Sequence, residues 1–167
     1  VVDDGSTEPQ VARFETISSL VYLRHRKNLG FLRAVNGAAH KARGRYLLLL
    51  NNDTQVRDGW LDHLVELMSE PDVGTVGGKL VYPSGHLQEA GVCMRSDGSA
   101  KLVGLNGNPH EPLFNQVREV DYCSGACVLI EKALFASIGG FDERFAPAYF
   151  EDADLGFQVR QLGKKKL

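Results

Sequence analysis

The run Tyr46–Leu50 constrains the fold of this chain most, because it places four leucines next to one another. A strand with apolar side chains on both faces is typical of a sheet that helices cover on both sides. The run stops at Asn51, Asn52 and Asp53. Polar oxygens therefore follow the carboxyl end of a buried strand, where open α/β sheets bind ligands. The alternative interpretation is a polar loop in which these side chains make turn hydrogen bonds.

The apolar pattern of the first half alternates between strands and helices. Periodic apolar positions predict helices near Val11–Ile17, Leu32–Ala42 and Trp60–Met68, with short strands between them. This alternation indicates βαβ units and a mostly parallel central sheet with helices on both faces. From Gly77 onward, glycines, prolines and short β-prone runs replace the helices, which predicts an irregular β-rich second half. The whole of 1–167 is expected to be a single domain, a length that suffices for one core.

Composition excludes several classes of protein. The 19 basic and 21 acidic residues give a net charge of −2, which argues against a nucleic-acid binder. The three cysteines are an odd number and fit a reducing compartment. No apolar stretch reaches the roughly 18 residues of a transmembrane helix, so we expect a cytoplasmic protein. Contact with the inner face of the membrane, through the parent protein, is the alternative.

The two ends of the chain carry expectations of their own. The sequence opens at Val1 inside an apolar strand pattern and closes at Leu167 just after a helical one, so we expect a domain truncated at both ends. The lysines of Lys164–Lys166 are expected to form a solvated charged run, with weak contact to anionic lipid as the alternative.

Acidic side chains stand in three clusters at strand ends or helix starts. The clusters are Asp3 with Asp4, Asp53 with the Asn51 amide, and Glu151, Asp152 and Asp154. Carboxylates held close together usually bind a metal, accept ligand hydrogen bonds or hold a proton. Asp53 and Asn51 offer hard oxygen ligands to Mg²⁺ or Mn²⁺, and such a cation usually shares its shell with substrate phosphates. For the third cluster the alternative is that acids at a helix N-terminus complement the helix dipole.

A resemblance to a known family comes from several motifs in order. They are Val1–Thr7, Asn28–Phe31 with Asn36, Leu48–Thr54, Ser124–Ile130, and Gly140–Glu143 with Phe150–Leu155. In this order and spacing the chain resembles the family-2 glycosyltransferases with the GT-A fold, most closely their rhamnosyltransferase-like branch. The resemblance also implies a preceding strand and a later histidine, neither of which lies within these residues.

The resemblance implies roles for the nucleotide-sugar half, residues 1–76. Asp3 matches the aspartate that contacts the nucleotide base, and Asp4 would lie beside it. A loop near the nucleotide is matched by Asn28, Gly30 and Asn36. Where the family has its Asp-x-Asp motif, this chain has Asn51, Asn52 and Asp53. The resemblance therefore makes Asp53 the residue that reaches the divalent metal and the diphosphate, with an amide in place of the first acid.

The acceptor half, residues 77–167, is implied to carry the base. Asp152 matches the residue that deprotonates the acceptor hydroxyl. Tyr149 and Phe150, beside Glu151, are candidates for an acceptor platform, and aromatic core packing is an equal alternative. No Gly-x-Gly-x-x-Gly follows any strand, which disfavours a dinucleotide-binding enzyme.

The implied activity is an inverting, metal-dependent transfer of a sugar in polysaccharide biosynthesis. The donor is expected to be a UDP- or dTDP-sugar, and the acceptor a saccharide, lipid-linked or protein hydroxyl. The alternative is a non-catalytic nucleotide-sugar-binding or regulatory domain with the same fold, which the amide at Asn51 favours slightly.

Overall fold

The computed structural model describes all residues, 1–167. Four α-helices are present: α1 (Phe31–Ala39), α2 (Trp60–Met68), α3 (Lys132–Ser137) and α4 (Glu151–Gln161). The strands are β1 (Val2–Asp3), β2 (Leu23–Arg24), β3 (Tyr46–Leu50), β4 (Val73–Gly77), β5 (Leu80–Val81), β6 (Leu87–Glu89), β7 (Val92–Met94), β8 (Ala100–Leu102), β9 (Cys127–Glu131) and β10 (Lys165–Lys166). Short 3₁₀ helices occupy Pro9–Thr16, Pro112–Phe114 and Glu143–Phe145.

The central sheet has the strand order β10-β4-β9-β3 and is mixed, so the prediction of a mostly parallel sheet is wrong. β9 runs antiparallel to both of its neighbours, with Leu129 opposite Leu48 of β3 and opposite Val76 of β4. β3 and β4 keep the common direction that the β3-α2-β4 unit requires, but β9 from the second half lies between them. An apolar run such as Cys127–Ile130 is the same for either direction, because burial on both faces depends on position in the sheet.

Helices cover both faces of this sheet, as predicted. Leu47 lies in a core with buried side chains of α1, α3 and α4: Leu32, Phe135, Leu155 and Val159. Leu48, the next residue of β3, packs in a second core against Leu64 and Met68 of α2. The leucine run is therefore divided between two cores by the alternation of side chains along a strand.

The amino-terminal part forms a separate parallel pair, with Val2 opposite Leu23 in β1 and β2. The helix expected near Val11–Ile17 is a short 3₁₀ helix with no buried residue. Its apolar side chains find little to cover them, and Phe14 remains 38% exposed while stacking on Tyr22. The apolar residues recur at helical spacing, but no other element buries them, and packing of this kind is what stabilises a short α-helix.

The second half is β-rich and irregular, as predicted. Its hairpins pair β5 with β6 and β7 with β8. Tyr122 makes one bridge to Val92 without forming a longer strand. No helix of the structure has the length and apolar character needed to span a bilayer.

Of the three lysines predicted to form a solvated run, Lys165 is exposed and Lys164 is half-buried, but Lys166 is buried. β10 adds to the edge of the central sheet in parallel with β4. Lys166 is 1% exposed, and its Nζ lies 3.5 Å from the Glu119 carboxylate. Strand pairing turns this lysine inward, where its aliphatic stem packs and its charge meets an acid.

Candidate functional site

Asp4 fixes the loop that precedes α1. Its carboxylate accepts hydrogen bonds from the backbone amides of Leu29 (3.0 Å) and Gly30 (2.8 Å). His25 lies 2.8 Å away through Nδ1, and these contacts lower the pKa of Asp4 against the opposing effect of burial. Asn28 closes the same turn by accepting from the Gly30 amide at 2.9 Å. Three of the predicted nucleotide-side residues therefore form one hydrogen-bonded group.

Gly30 has a backbone that other residues rarely adopt. Its φ is +88°, and a Cβ at this position would lie 2.5 Å from Cβ and 2.6 Å from the carbonyl oxygen of Pro147. Leu32 donates to the same Pro147 carbonyl at 3.3 Å. The loop before α1 is thus closely packed on the segment that leads to α4.

Asp3 is buried at the end of β1, where its carboxylate is fully used. It accepts from the Ser6 amide at 2.7 Å and from the Tyr22 hydroxyl, and Arg24 lies 3.3 Å away. The Tyr22 and Ser6 hydrogen bonds lower the pKa of Asp3 to about 2. Beside it is a cavity of about 310 Å³ that no hydrophobic residue lines; its lining residues are Gly5, Ser6, Thr7, Arg24, His25 and Arg26.

Asp152 lies in the first turn of α4 and is held by the segment before β9. Its Oδ2 accepts from the Gly125 amide at 3.2 Å. A Cβ on Gly125 would lie 3.4 Å from the Phe31 ring and 4.0 Å from Cβ of Asp152. α1 and α4 therefore meet at this glycine, which brings the Asp4–Gly30 group and Asp152 to neighbouring parts of one surface.

The end of β3 contacts the same segment. The backbone amide of Asn51 donates to the Ala126 carbonyl at 3.0 Å, and the backbone carbonyl of Asn51 accepts from the Thr54 hydroxyl. Asn52 and Asp53 form the exposed turn that follows. Neither side chain makes a hydrogen bond or ion pair with Asp3 or Asp152, and hydrogen bonds join the end of β3 to Asp152 through Gly125–Ala126.

The metal-ligating side chains near Asp53 decide whether a divalent cation could bind at this loop. No group of three or more His, Cys, Asp or Glu side chains is arranged to hold a metal ion. Asp53 supplies one carboxylate, with amides beside it at Asn51 and Asn52. One carboxylate suits a Mg²⁺ or Mn²⁺ whose other ligands are substrate phosphates and water. The residues thus fit a cation that arrives with a diphosphate, and they do not form a site that the protein alone would fill.

Asn36 has a different position from the other predicted nucleotide-side residues. Its Nδ2 donates to the Phe141 carbonyl at 2.8 Å, and its Oδ1 accepts from the Phe141 amide at 2.9 Å. It also lines a cavity of about 780 Å³ between α1, α3, α4 and the loop of Gly139–Arg144. Asp154 of the third acidic cluster lines the same cavity, whereas Asp152 and the other nucleotide-side residues do not. The contacts of Asn36 indicate a structural role, in which it ties α1 to this loop.

The residues before α4 divide into exposed and buried ones. Tyr149 is 81% exposed and Phe150 59% exposed, and both have positive φ, 79° and 69°. A positive φ at two non-glycine residues costs free energy, and backbone strain of this kind clusters at functional sites. Glu151 by contrast is buried, and its Oε2 is enclosed without a partner. Burial, with a smaller effect of Asp152, raises the pKa of Glu151. Core packing of the two aromatic rings is excluded by their exposure.

Glu89 and Tyr122 are near Asp152, and sequence reasoning missed both. Glu89 is 4% exposed on β6, and burial together with the charge of Asp152 raises its pKa to about 7. Burial, with the charges of Asp152 and Glu89, raises the pKa of the Tyr122 hydroxyl to about 12. The one available signal was Leu87-Gln-Glu89, where alternation puts the acid on the same face as a leucine.

Solved structures with a similar fold define the class of protein. The chain resembles a structure of GalNAc-T7 with UDP, GalNAc and Mn²⁺, with a TM-score of 0.76 and 19% identity over 99% of this chain and 35% of that one. It also resembles the mannosyltransferase PcManGT from Pyrobaculum calidifontis with GDP-Man and Mn²⁺, with a TM-score of 0.68 and 18% identity over 100% of this chain and 44% of that one. The fold is the GT-A fold, as predicted.

Sequence relatives give the family. The profile of glycosyl transferase family 2 matches residues 1–139, and the chain belongs to this family. It is 37% identical over 140 residues to the O-antigen biosynthesis protein RfbC of Myxococcus xanthus, covering 77% of this chain and 10% of the relative. It is 28% identical over 188 residues to an N-acetylglucosaminyl-diphospho-decaprenol L-rhamnosyltransferase of Mycobacterium tuberculosis, covering 98% of this chain and 61% of the relative. The predicted rhamnosyltransferase-like branch is confirmed, and the chain spans only part of the length of these relatives.

Proposed function

We propose that this chain is the catalytic domain of an inverting glycosyltransferase that uses a nucleotide-diphospho-sugar. The observation that carries the proposal is the segment Ser124–Ala126. It hydrogen-bonds Asp152 through the Gly125 amide and the end of β3 through the Ala126 carbonyl. The candidate base and the candidate diphosphate loop are thereby attached to one short piece of backbone, an arrangement that suits a reaction with a nucleophile on one side of a sugar and a leaving group on the other.

Asp152 is the proposed base. In the transfer, the acceptor oxygen forms a bond to the anomeric carbon, the bond from that carbon to the diphosphate oxygen breaks, and the hydroxyl proton passes to the Asp152 carboxylate. The nucleoside diphosphate leaves with the bonding electrons from the opposite face, which inverts the anomeric configuration. The Gly125 amide holds the carboxylate during this step.

The nucleotide would bind at the ends of β1 and β2. The polar cavity beside Asp3 contains Arg24 and Arg26, whose guanidinium groups suit the anionic part of a nucleotide. We propose Asp3, Asp4, Asn28, Gly30, Asn51, Asn52 and Asp53 as the residues of this side, with Asn36 supporting the loop from behind. A divalent cation held by Asp53 and the diphosphate would offset the charge of the leaving group.

The donor and acceptor classes are proposals from the relatives. The Mycobacterium tuberculosis relative is named as an L-rhamnosyltransferase acting on an N-acetylglucosaminyl-diphospho-decaprenol. We propose a dTDP- or UDP-sugar as donor and a lipid-linked saccharide as acceptor, in polysaccharide biosynthesis at the cytoplasmic face of a membrane. Tyr149, Phe150 and Glu151 are proposed for the acceptor side, the two aromatic rings as an exposed platform and Glu151 as a buried support.

The test is a pair of measurements on the intact protein. Calorimetric titration with UDP, dTDP and GDP in Mn²⁺ should give one preferred nucleotide, and hydrolysis of the matching sugar nucleotides should follow that preference. In Asp152→Asn we expect turnover to fall by roughly 10²–10⁴-fold, the usual contribution of a general base, with nucleotide affinity unchanged. Retained turnover, or lost nucleotide binding, would contradict the assignment of Asp152.

The second candidate function is a non-catalytic nucleotide-sugar-binding domain. The amide at Asn51, in place of an acid, favours it because the diphosphate loop then carries a single carboxylate. The same titration distinguishes the two, since tight nucleotide binding without hydrolysis or transfer by the intact wild-type protein would support this second function. Asn51→Asp is the matched variant, and a gain of Mn²⁺-dependent affinity would show that the loop contacts the cation.

A further inference from the structure

Glu89 is a buried carboxyl without a partner in the protein. It is the last residue of β6 and is 4% exposed. Burial and the charge of Asp152 dominate its environment, with no contribution from a hydrogen bond or a cation. A buried carboxyl in this state is costly, because desolvation of the charged form is not compensated. Natural proteins retain such groups mainly where function requires them.

The Glu89 oxygens are not sealed inside the core. The one fully enclosed side-chain oxygen or nitrogen without a partner is Oε2 of Glu151. Since the Glu89 oxygens also lack partners, each must reach the molecular surface through the small exposed part of the side chain. The carboxyl therefore has a narrow opening. Val92, three residues after Glu89, packs in one buried cluster with Tyr122 and with Ala153, the neighbour of Asp152, so this part of the chain lies against the start of α4.

Tyr122 completes the group. α4 packs directly on this tyrosine, because a Cβ on Gly156 would lie 2.5 Å from the Tyr122 Cβ. The tyrosine is joined to the hairpin that follows Glu89 by its bridge to Val92. The charges of both Asp152 and Glu89 act on its hydroxyl, which has no hydrogen bond of its own. One acceptor, the Glu89 carboxyl, and one donor, the Tyr122 hydroxyl, thus lie without hydrogen bonds in two different segments of the chain.

We propose that Glu89 binds a sugar hydroxyl beside the reacting centre and so determines substrate specificity, with Tyr122 as the second polar group of the same subsite. The ligand is a pyranose ring, whose neighbouring hydroxyls can donate to Glu89 and accept from Tyr122 while another hydroxyl or the anomeric carbon lies near Asp152. The inference rests on the proposed function and adds the subsite that recognises one of the two sugars. That sugar belongs to the acceptor or to the donor, and the kinetics below separate the two.

The experiment compares the intact wild-type protein with Glu89→Gln, Glu89→Leu and Tyr122→Phe. The probes are dTDP-rhamnose or the sugar nucleotide that the wild type prefers, and a short-chain N-acetylglucosaminyl-diphospho-lipid. Transfer to this lipid and hydrolysis by water are measured separately. Loss of a charge-assisted hydrogen bond should raise one KM by roughly tenfold to hundredfold, with Leu more affected than Gln because Gln retains one acceptor oxygen. A higher acceptor KM with unchanged hydrolysis assigns the acceptor sugar, and a higher donor KM in both reactions assigns the donor sugar.

Stability separates recognition from a structural role. Removing an unpaired buried charge should leave the unfolding midpoint of both Glu89 variants at neutral pH unchanged or higher, so lower activity would accompany equal or greater stability. Glu111→Gln, the same chemical change on an exposed acid of the same half, is the control and should change neither KM. Unchanged KM values in all Glu89 variants, or a fall in stability that parallels the fall in activity, would overturn the proposal. If the wild type itself binds nucleotide but neither hydrolyses nor transfers, the proposed function fails instead, and calorimetry with the free sugars would still report whether Glu89 binds one.

Discussion

Replacing Glu89 by Gln should change how the stability of the protein depends on pH. The ordinary pKa of a glutamate here is 4.5, and burial with the charge of Asp152 raises that of Glu89 to about 7. Between these two values the folded protein holds a proton that the unfolded chain has released. Raising the pH through this window therefore favours unfolding, and the stability of the wild type should fall between pH 4.5 and pH 7.

The size of the effect follows from the two pKa values. The interval between 4.5 and about 7 corresponds to roughly 3 kcal/mol in the free energy of unfolding, all of it lost above pH 7. Glu89→Gln cannot ionise and should lack this loss. The variant should exceed the wild type by under roughly 1 kcal/mol at pH 5 and by roughly 3 kcal/mol at pH 8, apart from a constant offset that does not vary with pH.

Urea unfolding at several pH values between 5 and 8 measures this difference, with Trp60 fluorescence as the signal. Carboxyls whose pKa is lowered, such as Asp3 and Asp4, add stability that is lost as the pH falls through their folded values. They are present in both proteins and cancel. Asp152→Asn removes the smaller of the two causes that raise the Glu89 pKa. The pH range over which stability falls should therefore become narrower without disappearing. A difference between wild type and Glu89→Gln that stays constant from pH 5 to pH 8 would refute the reasoning.

Two further pairs of variants test the packing described above. Gly30→Ala should lower stability by roughly 2 kcal/mol or more, because the new Cβ would meet Pro147 at 2.5 Å on a backbone with positive φ. Gly37→Ala in α1 should instead raise stability by roughly 0.5–1 kcal/mol, because a Cβ there would have nothing within 4 Å. Similar urea midpoints for the two variants would contradict this. Lys166→Met should change stability by less than roughly 1 kcal/mol. Glu119→Gln leaves the buried lysine without its acid and should cost roughly 1–3 kcal/mol. A larger loss of stability in Lys166→Met than in Glu119→Gln would mean that the ion pair contributes more than its desolvation costs.

The sequence predicted those elements whose burial is one-sided or complete over several residues. A helix beginning near Trp60 and ending near Pro71 was predicted, and α2 spans Trp60–Met68, because its apolar positions recur at helical spacing against a sheet. β3 was predicted from its leucines for a related reason. The direction of β9 was not predictable, since a strand buried on both faces has no pattern that distinguishes parallel from antiparallel pairing. β10 was missed because its lysines appear polar until pairing with β4 buries Lys166.

The candidate site was predictable where local turn chemistry or a motif defines a residue. Asn28 and Gly30 belong to one turn before a helix, and a resemblance to a family located Asp4 beside Asp3 and Asp152 in the Glu-Asp pair that begins α4. Glu89 was not predictable, because three residues of strand give too short a pattern and an acid in a glycine-rich half is read as a loop residue. Glu89 and Asp152 are 63 positions apart in the chain, and their segments come together only through tertiary packing of Val92, Tyr122 and Ala153.

The acidic side chains of this domain fall into two groups with opposite electrostatics. Asp3 and Asp4, on the proposed nucleotide side, have lowered pKa values because amides, Tyr22, Arg24 and His25 satisfy them. Glu89 and Glu151, around Asp152, have raised pKa values because burial is not compensated.

These two groups suit two different ligands. Where the acids are neutralised, Arg26 of the adjacent cavity remains available to an anion such as a diphosphate, whereas Arg24 pairs with Asp3. Where the acids are unsatisfied, the surface favours groups that donate hydrogen bonds or release a proton, which sugar hydroxyls do. A transferase needs this separation, because the proton leaves the acceptor on one side of the sugar and the anion departs on the other. A domain that only bound a nucleotide-sugar could use Glu89 to bind a sugar hydroxyl, but it would need no carboxylate at Asp152 to take a proton.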